Sequence, residues 1–223
     1  MNDNITITGI GWLDETEYGS VKRQLHAVCP KGNCPGTVLA ACNTYPVPKW
    51  IGRFDAVSRH AYCAIALALQ DSGFTHNPGR FVDIGILGTN NDGALITNKA
   101  YFRDYVECGR TLSRGNLFIY TLPTSPLAET AIHFGLRGPM FYMSGPTVRI
   151  TELIQTATGI IKRSETDGMI VVKADHTEGL AFILSSTPGN DQNSICSSQY
   201  VLDILSTEKP FREMISLISA PIG

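Results

Sequence analysis

Three times along this chain an apolar run of strand length is followed by a helical pattern, and that alternation calls for a mostly parallel sheet covered by helices. Residues 5–11, Ile5-Thr6-Ile7-Thr8-Gly9-Ile10-Gly11, alternate and read as the first strand. Over 55–72 the apolar positions Val57, Ala61, Ala64, Ile65, Ala68 and Leu69 keep helical spacing, and Gly73 ends the run. Residues 81–89 form a buried strand, Asn90-Asn91-Asp92-Gly93 a polar turn, and a helix continues to about Cys108-Gly109. Residues 140–144 are the third strand and 150–164 the third helix. Two further strands, 169–173 and 180–184, pair through Asp175-His176-Thr177-Glu178-Gly179. The order is β-α-β-α-β-α-β-β.

The remaining segments are less periodic. Residues 12–52 carry Gly, Pro, Lys and Cys without a pattern and read as a long irregular loop, a kind of segment that usually covers something. Residues 116–122 read as extended up to Pro123. Ser125 as N-cap and Pro126 at the first helical position open a short helix that Gly135 stops. In a C-terminal tail from 188 to 223, residues 200–205 fit either a strand or a helical turn, and 208–218 a last short helix. The helix from Ile150 has a single apolar stripe of Ile150, Leu153, Ile154, Ala157, Ile160 and Ile161. Glu152, Gln155, Thr156, Lys162 and Arg163 occupy its other side, so it buries one face.

Bulk composition narrows the function classes. At 223 residues, 43% hydrophobic and 17% charged, the chain supports one globular domain with a real core. Eighteen basic and 20 acidic residues without a charge run leave no footprint for nucleic acid or anionic membrane. Met1-Asn2-Asp3-Asn4 lacks a positive n-region and no run reaches spanning length, so a cytoplasmic protein without a membrane span is expected. The six cysteines are at 29, 34, 42, 63, 108 and 196. His26, Cys29, Cys34 and Cys42 cluster and invite a zinc reading, but their spacing lacks two close pairs. Reduced, partly buried thiols are expected instead, with Cys63 in the core, and no cofactor is implied.

The segment Phe134-Gly135-Leu136-Arg137-Gly138-Pro139, the apolar strand after it and the turn Ser144-Gly145-Pro146-Thr147 at a helix start resemble the β-ketoacyl synthases of the thiolase superfamily. Asp83-Ile84-Gly85-Ile86-Leu87-Gly88-Thr89 resembles a second strand and turn of that family, and 53–73 and 123–135 resemble two of its helices. Counted from Gly138-Pro139, the family's nucleophilic cysteine falls on Thr147, and its catalytic histidines, or histidine and asparagine, belong to a C-terminal half not matched here. The resemblance implies one thiolase-like half, with a mixed five-stranded sheet in a three-layer arrangement, and a single ketosynthase-like N-terminal domain over 1–223. In full-length relatives the third helix is sandwiched between two sheets. The single stripe here leads us to expect a chain adapted to three layers rather than a fragment of a longer enzyme.

Thr147, Ser144 and Cys196 are the candidate alternative nucleophiles. A threonine needs an adjacent base, whereas His133 lies on the preceding helix and His176 in a strand–strand loop. Asp175, His176 and Glu178 fit either an acid/base cluster at strand ends or a solvated turn. The Gly88–Gly93 region sits where phosphates bind but lacks the glycine spacing and a lysine, so it reads as a plain turn. Tyr101, Phe102, Tyr105, Phe118 and Tyr120 fit an acyl tunnel or an ordinary core and interface. Asp83 reads as a strand-start residue. The expectation is a catalytically silent partner, or acyl-chain or carrier-protein binding subunit, in fatty acid or polyketide-type biosynthesis. The alternatives are an acyltransferase-like enzyme with a different nucleophile, or a structural or regulatory module. The resemblance puts the strand Met140, Phe141, Tyr142, Met143 and Ser144 at the sheet edge; nothing in this apolar run blunts it, so it is the expected interface of a homodimer, or of a heterodimer with a ketosynthase homologue, with acyl carrier protein as a further partner.

Overall fold

The computed structural model describes residues 5–30, 33–42, 45–111, 114–145, 149–186, 194–207, 209 and 211–220. Its centre is one mixed sheet of eight strands. In chain order the strands are β1 (Ile5–Leu13), β2 (Glu17–Ser20), β3 (Leu25–Val28), β4 (Ile84–Asn90), β5 (Met140–Ser144), β6 (Gly168–Ala174), β7 (Gly179–Ser186) and β8 (Cys196–Ser197). The helices are α1 (Cys34–Ala41), α2 (Ala56–Ser72), α3 (Leu95–Glu107), α4 (Gly115–Ile119), α5 (Ser125–Phe134), α6 (Ile150–Lys162), α7 (Ser198–Leu205) and α8 (Phe211–Ser219). Across the sheet the order is β3-β2-β1-β7-β6-β4-β5, with β8 added on β1. β4 runs parallel to β5 and β6, while β7 is antiparallel to both β6 and β1.

Two cores, one on each face, make the three layers. On the first face α2 lies against β1, β7 and β6 and touches α5. Asp55 caps α2 by accepting from the Ser58 amide at 2.9 Å, and Gly73 ends it at φ 79°. The approach to β1 is close enough to demand glycine there. A Cβ at Gly11 would stand 2.3 Å from the Ala68 nitrogen, and one at Gly9 2.2 Å from the Ala68 oxygen. On the second face Leu153, Ile154, Ala157, Ile160 and Ile161 of α6 are buried with Val201 and Leu205 of α7 and Ile215 and Ile218 of α8. The opposite side of α6 is exposed at Glu152, Gln155, Thr156 and Lys162, as its single stripe requires.

Several expectations need correction. The sheet has eight strands, not five, because β2, β3 and β8 extend and flank the five predicted ones. Residues 12–52 are not an irregular loop: β1 continues to Leu13, and β2 and β3 form an antiparallel hairpin. The hairpin turn uses Gln24 at φ 51°, a position where glycine would have signalled it. Within 116–122, Leu117, Phe118 and Ile119 belong to the short helix α4 and not to an extended stretch. The ambiguous segment 200–205 is helical, in α7. The thiols are not all reduced, since Cys29 is joined to Cys34. Beside that disulfide, His26 pairs with Glu17 at 2.9 Å and the Cys42 thiol faces Gln70. Among the described residues no group of three or more His, Cys, Asp or Glu is arranged to hold a metal, and no helix is long and apolar enough to cross a membrane.

Candidate functional site

β5 is an edge strand: β4 pairs with one side of it, and no described strand pairs with the other. Period-two alternation turns Tyr142 inward against the first core, where burial pushes its phenol pKa well up. Phe141, at 55% exposure, and Met143 stand on the opposite face and are exposed there, and Met140 is also exposed. On neighbouring α5, Ile132 is 79% exposed. The arm formed by α3 and α4 packs lightly on the core: α3 buries only Thr97, whose hydroxyl donates to the Asp55 carboxylate at 2.8 Å. Arg114 bridges to Asp104 at 2.8 Å and Tyr101 packs on Phe118, so the arm is tied to itself more than to the core. Phe102 and Phe118 are exposed, while Tyr120 is buried and donates to Glu129.

At the start of α6 the family's nucleophile position, Thr147, lies outside the described residues. Arg149 occupies the N-cap without a side-chain cap bond. Beside it opens a cavity of about 550 Å³ bounded by Arg149, Lys173, Glu178, Gln199 and Lys209, with Leu180, Leu202, Leu205 and Met214 as its apolar wall. The two tail helices therefore close the α6 end of the molecule. No histidine lines this cavity among the described residues. Glu178 is held above the usual carboxylate range, first by burial and then by Asp175, against the pull of Lys173. No cysteine lines this cavity with it among the described residues.

The other candidates are dispersed. Ser144 ends β5 opposite Asn90, and its side chain is not described. Cys196 is buried on β8, and burial pushes its thiol up to about 11, which disfavours a thiolate at neutral pH. His133 stacks on His76 inside an aromatic cluster with Tyr45, Tyr62 and Phe134. Burial, and then the neighbouring His76, lower its pKa to about 4. Asp175 is committed to its turn: one carboxylate oxygen accepts from the Thr177 amide and hydroxyl and from the Glu178 amide at 2.9–3.1 Å. In the Gly88–Gly93 turn the Asn90 side chain both accepts from and donates to Gly93, closing the loop on itself. Asp83 receives the Thr166 hydroxyl at the start of its strand.

His176 has neighbours that sequence reasoning missed. It borders a second cavity of about 760 Å³, on the α2 side, together with His60 and Arg59. His60 was hidden in the sequence because it falls inside the apolar periodicity of α2, and only a polar ring within that stripe marked it.

The comparisons with known proteins fit this geometry. Neither a protein-family model nor a curated protein sequence matches the chain. Solved structures do match in fold. The ishigamide ketosynthase/chain length factor is 13% identical at a TM-score of 0.62, over 83% of this chain and 59% of that one. A type II PKS acyl-carrier protein in complex with its ketosynthase gives 11% identity and a TM-score of 0.60, over 83% of this chain and 63% of that one. A ketosynthase in complex with its chain length factor from Xenorhabdus doucetiae gives 13% identity and a TM-score of 0.54, over 83% and 80%. The fold is that of the ketosynthases, a thiolase-like α/β architecture. This chain spans about three-fifths of the length of the first of these structures.

Proposed function

We propose that this chain is a catalytically silent β-ketoacyl-synthase-like protein, acting as a partner subunit or as a binder of an acyl chain or its carrier protein in fatty acid or polyketide-type biosynthesis. The observation that carries the reading is the uncovered apolar edge. β5 presents Met140, Phe141 and Met143 to solvent on a ketosynthase-like fold, and nothing in the strand blunts it. The dispersal of Cys196, His133 and His176 supports the absence of condensation chemistry, since a nucleophile and its base must meet before roles can be assigned. In this reading residues 1–223 are one ketosynthase-like N-terminal domain of a cytoplasmic protein. The partner is a second copy or a ketosynthase homologue, paired antiparallel through 140–144, with the exposed Ile132 flanking the contact. Incubation with acyl-loaded carrier protein and malonyl thioester, followed by the intact mass of the chain, tests the silent part. Unmodified mass with no condensation product is expected. Covalent acylation at any residue would establish the alternative, an acyltransferase with a different nucleophile.

A further inference from the structure

The 760 Å³ cavity on the α2 side lies apart from the β5 edge and from the end of α6. Its apolar wall is Pro35, Leu39, Ile51 and Ala56. His60 Nδ1 lies 2.8 Å from the Ala56 carbonyl oxygen, which can only accept. Nδ1 therefore carries the proton, and the neutral ring has Nε2 left as an acceptor. Burial disfavours the imidazolium form of this ring, which is 7% exposed. Among the described residues neither the Arg59 guanidinium nor the His176 ring has a hydrogen-bond or ion-pair partner. A cavity with an apolar wall and a few convergent, uncommitted polar groups is the ordinary form of a small-molecule site.

We infer that this cavity binds a small organic monoanion that carries a hydroxyl group beside its carboxylate. The guanidinium of Arg59 matches a carboxylate through two parallel N–H donors. The acceptor at His60 Nε2 demands a donor from the ligand, which a hydroxyl supplies and a bare carboxylate does not. Glu15 on the rim selects against a second negative charge, so an inorganic dianion is a poor fit. The apolar wall takes the ligand's hydrocarbon part. His176, reaching in from the β6–β7 turn, stands where it can donate to or accept from the same hydroxy acid.

The test is a titration of the full chain with mandelate, with phenylacetate, which lacks only the hydroxyl, and with inorganic phosphate, read by calorimetry and by the imidazole nitrogen resonances of His60 and His176. Mandelate is expected to shift the His60 Nε2 resonance and to bind about tenfold more tightly than phenylacetate. Phosphate is expected to compete weakly. Arg59→Gln, at an exposed position that does not threaten folding, is expected to weaken mandelate about tenfold and leave the thermal midpoint unchanged. Equal affinity for mandelate and phenylacetate, phosphate binding as tight as mandelate, mandelate affinity unaffected by Arg59→Gln, or no binding at all would each overturn the assignment.

Discussion

Asp71 is the residue on which the β1–β2 end of the sheet depends. Its carboxylate, 2% exposed, accepts the amides of Ile10 and Arg23 at 2.9 Å and of Lys22 at 3.2 Å, beside the register shift in β1. Asp71→Ala strands three amides and is expected to lower the unfolding free energy by about 3 kcal/mol, measured by urea denaturation. A loss within 0.5 kcal/mol, the ordinary range for a surface change, would contradict that role. The stacked His76 and His133 rings set a pH dependence. Both are held below their ordinary pKa, chiefly by burial, with His133 at about 4. Unfolded chains therefore bind protons that the folded state refuses between about 6.5 and 4. Stability is complete above that window and falls as pH drops through it. The buried, unpartnered His133 Nε2 is the group that resists the charge. Thermal midpoints from pH 7.5 to 4 should decline in the wild type and decline less in His133→Phe, while parallel declines would contradict the assignment.

At the scale of elements, α7 and α8 close the second core. Val201 is fully buried and Ile218 nearly so, both in the core shared with α6. Ile218→Asp places a charge there and is expected to cost about 3–5 kcal/mol, with gain of a dye-binding apolar surface as the second readout. The same elements show what the sequence made legible. α2 and α6 are readable because their apolar spacing matches their burial, as the single stripe of α6 does. The β2–β3 hairpin is not, since its strands have four residues each and β3 alternates only between half-buried and exposed. Its turn carries Gln24 in place of glycine. α4 misleads because Leu117, Phe118 and Ile119 suit a strand as well as a helix, and only the fold decides. A strand could be anticipated from Met-Phe-Tyr-Met, and its place at the edge only from the family resemblance. The meeting of His60 and His176 at one cavity could not, because 115 intervening residues separate two ordinary-looking histidines.

The whole molecule combines a ketosynthase-like sheet, an end closed by its own tail, and one apolar edge left open. Condensation needs a thiolate for the acyl chain and imidazole or amide groups for decarboxylation, and no described residue set brings these together. Thr147→Cys alone is therefore expected to yield no turnover with acyl and malonyl thioesters, and measurable product would contradict the silent reading. The central claim remains the open edge. An apolar edge strand in water invites pairing. Sedimentation equilibrium at micromolar concentration tests it most directly, on the wild type, Phe141→Lys and Tyr142→Pro. The account predicts a wild-type dimer, or a dimer formed when a ketosynthase partner is added, and a poorly soluble monomer in both variants. A wild type that stays monomeric with and without that partner, or a dimer indifferent to Tyr142→Pro, would contradict it.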